Sequence, residues 1–119
     1  MKVGIIGSRK LKLNPLEIME RLKGFEVSEI ISGGAKGIDT TARIVAKILN
    51  VPCREFKPEY FKYGRIAPFI RNEKIIETSD VIFAFWNGNS TGTENALNIA
   101  RRKNKPFKIF LYSRQKTLF

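Results

Sequence analysis

A glycine-rich stretch at residues 32–39, with the sequence Ser-Gly-Gly-Ala-Lys-Gly-Ile-Asp, has the composition of a phosphate-binding turn. It follows an apolar run that ends at Ile31 and precedes a helical pattern that begins near Thr40. Glycine tolerates positive φ angles and lets backbone N–H groups approach a ligand closely, and the N-terminus of a helix attracts anions. The spacing matches neither a Walker A loop nor a GxGxxG motif. A tight strand-to-helix turn, in which the glycines serve only close packing, explains the same pattern equally well.

The absence of histidine limits the chemistry that the protein could perform. The sequence of 119 residues contains none, which removes the commonest general base and the commonest metal ligand. A reaction would have to depend on carboxylates, Lys, Arg, Tyr or a bound ion. The single cysteine, Cys53, excludes a disulfide framework and a cysteine-based zinc site. We therefore predict no metal site, and we expect a cytoplasmic protein because a lone thiol fits a reducing compartment.

The strong positive charge indicates an anionic partner. There are 22 Lys and Arg residues against 11 Asp and Glu, so the net charge is +11. The hydrophobic fraction of 43% is typical of a globular protein, and the length predicts one domain over residues 1–119. The apolar runs are too short to span a membrane and the N-terminus is too short for a signal peptide, so we expect no membrane partner. Two terminal segments contain bases and no acid: Lys2, Arg9, Lys10 and Lys12 in the first, and Arg101, Arg102, Lys103, Lys105, Lys108, Arg114 and Lys116 in the second.

Hydrophobic periodicity predicts strands that alternate with helices. The strands are expected at 2–7, 26–31, 51–56, 81–86 and 107–112, and the helices after Asn14, over 38–49, from Pro68 to Thr78 and from Thr91. Asn14 and Pro15 form an N-cap and first-turn pair, and Leu16, Met19 and Leu22 are expected on the core face of the helix that follows. The alternation predicts an α/β fold with a mostly parallel sheet and helices on both faces.

In a parallel sheet the loops that follow the strands open at the carboxyl edge, where ligands bind. Three predicted loops therefore meet at that edge: 7–10 with Arg9, 32–39 with Lys36, and 88–93 with several hydroxyl groups. Arg71 and Asn72 lie in the first turn after Pro68, and we expect them at the same edge. Cations and N–H and hydroxyl donors at one place predict a crevice for an anionic ligand.

These motifs, taken in order, resemble the SLOG superfamily of Rossmann-like domains. They are Gly7-Ser8-Arg9, Ser32-Gly33-Gly34-Ala35-Lys36-Gly37-Ile38-Asp39, Arg71-Asn72 and Gly88-x-Ser90-x-Gly92-Thr93. The resemblance extends from Val3 to about Pro106. The superfamily includes DNA-processing protein A (Smf), the LOG cytokinin-activating phosphoribohydrolases and a YspA-like branch. The glycine-rich stretch and the Arg-Asn pair look like the DNA-processing proteins, whereas residues 85–93 look more like the YspA-like branch.

The resemblance implies a three-layer Rossmann-like fold that binds nucleotides, nucleotide-derived signals or single-stranded DNA. It implies the following ligand- or phosphate-binding residues: Gly7, Ser8, Arg9, Ser32, Gly33, Gly34, Lys36, Gly37, Asp39, Arg71, Asn72, Gly88, Ser90, Gly92 and Thr93.

One departure from the family pattern argues against catalysis. The phosphoribohydrolases carry Gly-Gly-x-Gly-Thr-x-x-Glu with a catalytic glutamate, and alignment on Gly92-Thr93 puts Ala96 at that position. Glu94 is two residues early, about 200° away around a helix. A capping box, in which Thr91 and Glu94 satisfy each other's backbone N–H groups, explains Glu94 better than a catalytic role does. We therefore lean towards a protein that is not an enzyme, with Glu94 as a weak catalytic candidate.

Other features have two interpretations each. Asp39 either complements the helix dipole, or it accepts a hydrogen bond from a ribose or orients the loop, with equal weight. The aromatic residues of the aperiodic stretch 57–65 are expected to pack on the core, with a base-stacking lid as the alternative. Trp86 is expected in the core, with contact to a base as the alternative. The bases after Arg101 are expected to form a solvated helix end at the opposite edge, although they could bind phosphates nonspecifically. The aromatic residues concerned are Tyr60, Phe61 and Tyr63.

Two main functional hypotheses follow. The first is a binding module or sensor, whose crevice holds a nucleotide or a nucleotide-derived phosphorylated ligand. The alternative is binding of single-stranded DNA or RNA, as the resemblance to DNA-processing protein A implies. A weaker alternative is a nucleoside-monophosphate phosphoribohydrolase. A homo-oligomer is possible under each hypothesis.

Overall fold

The computed structural model describes residues 1–112 as alternating strands and helices. The strands are β1 (Lys2–Gly7), β2 (Glu29–Ser32), β3 (Cys53–Glu55), β4 (Val81–Trp86) and β5 (Phe107–Leu111). The helices are α1 (Pro15–Arg21), α2 (Ile38–Leu49), α3 (Tyr60–Tyr63), α4 (Ala67–Thr78) and α5 (Thr91–Arg102), and a 3₁₀ turn (Gly64–Ile66) separates α3 from α4. The basic residues Arg114 and Lys116 lie outside the described residues.

The five strands form one parallel sheet in the order β3-β2-β1-β4-β5. The chain leaves the central strand β1 towards β2 and β3, and later returns to β4 on the other side. The order of the strands therefore reverses between β1 and β4, where Gly7 pairs with Phe85 in the register. This topology confirms the predicted three-layer, Rossmann-like α/β fold with a five-stranded sheet, and it places a crevice outside the carboxyl ends of β1 and β4.

The sheet has a separate apolar core on each face, because the side chains of a strand alternate between its faces. Val3 and Ile5 of β1 and Phe83 of β4 pack against α1 and α2. Ile6 and Ile82 point to the opposite face and pack against α4 and α5. The helices thus cover both faces, as the apolar runs in the strands predicted.

The start of α1 follows the predicted capping pattern, and Met19 and Leu22 pack on the core as predicted, but Leu16 does not. The side-chain oxygen of Asn14 accepts a hydrogen bond of 2.8 Å from the N–H group of Leu16, and Pro15 is the first helical residue. Leu16 is exposed, whereas Ile18 and Leu22 are buried. The prediction for Leu16 was wrong because Leu16 lies two residues before the buried Ile18, about 200° away around the helix.

Three strands are shorter than predicted, β5 by one residue and β2 and β3 by more. β2 begins at Glu29 rather than at residue 26, because its partner β1 begins at Lys2, opposite Glu29. β3 begins at Cys53 rather than at residue 51, since the N–H group of Val51 donates to Ala46 at the end of α2 and Pro52 has no N–H group. A strand ends where its neighbour can no longer pair with it, which an apolar pattern does not reveal.

The stretch 57–65 is partly helical, contrary to the aperiodic pattern. It contains α3 and most of the 3₁₀ turn, and α4 then begins at Ala67, one residue before Pro68. Within residues 1–112, no helix is long and apolar enough to cross a membrane.

Candidate ligand-binding cleft

An open cleft of about 520 Å³ lies outside the carboxyl ends of β1 and β4, at the point where the strand order reverses. Four segments line it: the loop after β1, the glycine-rich loop after β2, the first turns of α4, and the loop that leads into α5. Its lining residues are Ile6, Gly7, Ser8, Arg9, Lys10, Gly33, Ala35, Asp39, Pro68, Phe69, Arg71, Asn72, Ile75, Asn87, Asn89, Ser90, Thr91, Gly92, Thr93 and Ala96.

The cleft brings together ten of the residues that the sequence singled out as ligand-binding. They are Gly7, Ser8, Arg9, Gly33, Asp39, Arg71, Asn72, Ser90, Gly92 and Thr93. Ser32, Gly34, Lys36, Gly37 and Gly88 do not line it. The weak catalytic candidate Glu94 is exposed and also lies outside the lining.

The space beside two glycines of the loop 33–37 is already filled by other residues of the protein. A Cβ atom at Gly33 would lie 2.6 Å from a guanidinium nitrogen of Arg71. At Gly37, where φ is +71°, a Cβ atom would lie 2.6 Å from the carbonyl oxygen of Ser8 and still closer to that of Arg9. Close packing therefore accounts for these two glycines, and Gly37 in addition needs a backbone conformation that other residues rarely adopt.

Asp39 closes the glycine-rich loop from the first turn of α2. Its carboxylate is 8% exposed and accepts a hydrogen bond of 3.0 Å from the N–H group of Ala35. Burial raises the pKa of Asp39 above its ordinary value, although the N–H groups of Ala35 and Gly33 and the positive charge of Arg71 act in the opposite direction. This contact favours the interpretation in which Asp39 orients the glycine-rich loop.

Arg71 and Asn72 join the walls of the cleft. The guanidinium group of Arg71 donates to the carbonyl oxygen of Gly33 at 2.9 Å and to the side-chain oxygen of Asn72 at 3.0 Å. The Asn72 amide in turn donates to the carbonyl oxygen of Gly92 at 3.3 Å and to the side chain of Asn95 at 3.0 Å. Burial lowers the pKa of Arg71, and the nearby charge of Asp39 acts against that shift. The pair thus connects the glycine-rich loop to the start of α5.

Ser8 makes a second connection, between the loops after β1 and β4. Its side chain is 1% exposed, and its hydroxyl oxygen accepts a hydrogen bond of 3.1 Å from the N–H group of Asn87. Ser8 therefore positions the two loops relative to each other from beneath the cleft floor.

The loop before α5 is held by its own side chains. The side-chain oxygen of Asn87 accepts hydrogen bonds of 2.9 Å and 3.0 Å from the N–H groups of Asn89 and Ser90. Ser90 is the N-cap, and its hydroxyl group accepts from both the N–H and the hydroxyl group of Thr93. The predicted capping box of Thr91 and Glu94 was wrong, because Ser90, one residue earlier, already caps the helix and Thr91 is its first helical residue.

Trp86 packs on the core face that α4 and α5 cover, as expected. Its indole N–H group donates to the carbonyl oxygen of Ser90 at 3.0 Å. The indole therefore also holds the loop before α5 against the end of β4.

The mouth of the cleft presents positive charge and unused N–H groups. Arg9 and Lys10 are exposed, and neither forms an ion pair within the described residues. The N–H groups of Thr91 and Gly92 have no acceptor within α5 because they belong to its first turn. Apart from its chain neighbours and the backbone of α5, no atom of the described residues would lie within 4 Å of a Cβ atom at Gly92. This side of the cleft can therefore accept an anion without displacing protein atoms.

Sequence reasoning missed several lining residues, notably Lys10, Phe69 and Asn87. Lys10 lies next to the Gly7-Ser8-Arg9 motif, and its charge was noted without a place in the site. Asn87 could have been found, since Asn commonly accepts hydrogen bonds from the backbone two and three residues later in a turn. No signal in the sequence identified Phe69, because its place in the cleft depends on how α4 meets the sheet.

The aromatic residues of α3 do not pack on the core as expected. Phe61 is fully exposed and Tyr60 is 56% exposed, while Tyr63 is half-buried. The expectation was wrong for Phe61 and Tyr60, since α3 is a helix of only four residues and none of them is buried.

The basic residues from Arg101 to Lys105 lie at the C-terminal end of α5, at the edge of the sheet opposite the cleft, as expected. The ammonium group of Lys105 donates to the carbonyl oxygen of Ser79 at 2.6 Å, and that of Lys103 pairs with Glu77 at 3.4 Å. Among residues 1–112, no group of three or more His, Cys, Asp or Glu side chains could hold a metal ion.

No protein-family model matches the chain, and no curated protein matches it. Among solved structures, the chain is similar to DNA processing protein A from Helicobacter pylori, a protein described by its single-stranded DNA binding mode. The two share 22% sequence identity with a TM-score of 0.65, and the match covers 92% of this chain. The chain spans 64% of the length of that structure. The likeness establishes that both have the same Rossmann-like fold.

Proposed function

We propose that the cleft binds a nucleotide or a nucleotide-derived ligand through its phosphate group. The observation that carries the proposal is the convergence, at the point where the strand order reverses, of the open first turn of α5 with cations that form no ion pair among residues 1–112. Ligands of open α/β sheets bind at such a point. The resemblance of the motifs to the SLOG superfamily and its YspA-like branch supports the same class of ligand.

The lining suits the parts of a nucleotide. Arg9, Lys10 and the N–H groups around Gly92 can neutralise and bind a phosphate. Phe69 and Pro68 provide an apolar wall for a base, and Asp39 can accept a hydrogen bond from a sugar hydroxyl or a base N–H group. The cleft volume lies within the range of about 300–1,000 Å³ that is usual for small-molecule sites.

Titration calorimetry with nucleoside monophosphates and diphosphates, on the wild type and on Gly92→Asp, tests the proposal. The new carboxylate enters an open space in a first turn, where acidic residues suit the helix dipole, so the fold is retained. We expect the like charge to weaken nucleotide binding at least about tenfold, or 1.4 kcal/mol.

Gly92→Ala is the matched control, and it keeps the wild-type affinity. Equal affinity of the wild type and Gly92→Asp would contradict the proposal. Equal affinity for a nucleotide and for the nucleoside without its phosphate would contradict phosphate recognition in particular.

A second candidate is binding of single-stranded nucleic acid, with the cleft holding one nucleotide of the strand. Two observations favour it: the net charge of +11 and the likeness in fold to DNA processing protein A. Affinity for a strand that falls steeply as the salt concentration rises would support this candidate. Tight binding of one mononucleotide, with little dependence on salt, would support the first.

A further inference from the structure

Four large apolar side chains are exposed within ten residues, from the start of α3 to the first turn of α4. Their exposed fractions are 56% for Tyr60, 108% for Phe61, 55% for Ile66 and 48% for Phe69. We refer to these four residues as the aromatic ridge. Such a concentration of exposed apolar surface is typical of a binding surface, whereas single exposed residues are ordinary.

The same short helix shows how an aromatic ring is used when it belongs to the folded structure. Tyr63 is half-buried, and the ammonium groups of Lys62 and Lys74 lie 5.1 Å and 5.9 Å from the centre of its ring. Tyr60 and Phe61 take part in no such contact between described residues. Their ring faces are therefore accessible to a partner.

The aromatic ridge continues the wall of the cleft. Phe69 lines the cleft at one end of the ridge. At the other end, Tyr60 belongs to α3, which packs against α4, the helix that carries the lining residue Arg71. A molecule that leaves the cleft on the side of α4 therefore meets these side chains next.

The charges around the aromatic ridge suit a polyanion. Lys62 and Arg65 are exposed between its aromatic residues, and the sequence has no acid from 60 to 72. The nearest preceding acid, Glu59, forms an ion pair of 3.1 Å with Lys74. Proteins bind the phosphates and bases of a single strand with a combination of cations and aromatic rings. A protein partner that binds through an apolar face does not require the cations.

We propose that the aromatic ridge binds the bases of a single-stranded nucleic acid that extends out of the cleft. The proposal rests on the proposed function, because one nucleotide of the strand occupies the cleft and its neighbours stack on Tyr60 and Phe61. The aromatic ridge thus selects an oligonucleotide over a mononucleotide.

Binding of fluorescently labelled strands of two to twelve nucleotides, as DNA and as RNA, tests the proposal beside calorimetry with a mononucleotide. We expect the affinity to rise at least about tenfold from the mononucleotide to an octamer, and Phe61→Ser and Tyr60→Ser each to weaken octamer binding about fivefold or more, as the loss of a stacked base does. The mononucleotide affinity of both variants stays at the wild-type value. A backbone-only, abasic octamer binds more weakly than the octamer with bases.

Leu16→Ser is the matched control, since Leu16 is 66% exposed on α1 and belongs to the other face of the sheet. It should leave octamer binding unchanged, and thermal unfolding checks that all three variants stay folded. Arg65→Gln, compared with Arg102→Gln at the opposite edge, tests the role of charge in the same way and should weaken only octamer binding.

Octamer binding that is unchanged in Phe61→Ser and Tyr60→Ser would overturn the proposal, as would an abasic strand that binds as tightly as one with bases. Dimerisation through this surface, seen as a mass that rises with protein concentration and is abolished by Phe61→Ser without a change in octamer binding, would overturn it too. In each case a preserved mononucleotide affinity leaves the function of the cleft intact. Loss of all nucleotide binding in the wild type would instead refute the proposed function.

Discussion

The two loops that face each other across the cleft, 33–39 after β2 and 87–93 after β4, are both rich in glycine or hydroxyl residues. They differ in what their small residues touch. The space beside Gly33 and Gly37 is filled by Arg71, Asp39 and the backbone of the β1 loop. The space beside Gly92 contains no other atom of residues 1–112 within 4 Å, apart from its chain neighbours and the backbone of α5.

A glycine-rich motif can therefore serve the fold, the ligand or both. In the loop 33–39 the N–H group of Ala35 is already bonded to Asp39, and Arg71 binds the carbonyl oxygen of Gly33. In the loop 87–93 the hydrogen bonds of Asn87 and Ser90 shape the turn and leave the first N–H groups of α5 available. We therefore expect the first loop to govern stability and the second to govern binding.

The largest effect that separates the two loops is expected from Gly37→Ala. Its Cβ atom would meet backbone oxygens of the β1 loop at a φ of +71°, so we expect a loss of about 3 kcal/mol in the free energy of unfolding, from left-handed strain and overpacking together. Urea denaturation measures it. Gly92→Ala, the counterpart in the other loop, should stay within about 0.5 kcal/mol of the wild type. Similar losses at both positions would remove the distinction between the loops.

The next effect concerns the two cations that the sequence placed together. Arg9 lines the cleft and Lys36 does not, although both are exposed. We expect Arg9→Gln to weaken nucleotide binding about tenfold, as the loss of a charged hydrogen bond does, and Lys36→Gln to leave it unchanged. Titration calorimetry with a nucleotide measures the affinities of the two variants and of the wild type. A greater loss with Lys36→Gln would mean that the loop 33–39 carries the ligand after all.

A smaller effect tests how the loop 87–93 is built. Ser90 caps α5 through its hydroxyl group, so Ser90→Ala should lower the free energy of unfolding by about 1 kcal/mol. Thr91→Ala, one residue later, should change it by less than about 0.5 kcal/mol. Urea denaturation of the two variants compares them directly. The reverse order would restore the capping box of Thr91 and Glu94.

The smallest effect is a dependence of stability on pH that originates in the loop 33–39. Burial raises the pKa of Asp39 above its ordinary value of 3.8, so the folded state still holds the proton at pH values where the unfolded state has lost it. The contribution of Asp39 to stability therefore falls as the pH rises from about that value through its folded pKa, by at most about 1.4 kcal/mol per pH unit. This contribution is measured from pH 4 to 7 as the unfolding free energy of the wild type minus that of Asp39→Asn, and we expect it to fall as the pH rises. A difference that instead grows with pH would show that the charge of Arg71 dominates over burial.

Much of the fold could be predicted because it depends on patterns within short segments. The alternation of apolar strands with helices led to the parallel three-layer sheet, and Asn14 and Pro15 marked the start of α1 correctly. The ends of β2 and β3 could not be predicted, because each depends on where a neighbouring strand begins. The burial of Ile18 rather than Leu16 could not be predicted for a related reason. Both residues fit a helical period, and only the packing of α1 on the sheet distinguishes them.

The order of the elements and the edge at which the donor-bearing loops gather could be predicted from the sequence alone, since local periodicity and parallel connections are enough for both. Which donors face the cleft depends on the tertiary structure. Arg71 reaches Gly33 across 38 positions of the chain, and α4 brings Phe69 to the cleft while Lys36 points elsewhere. Side-chain direction depends on the packing of distant segments, which is why a motif could indicate the site but not its lining.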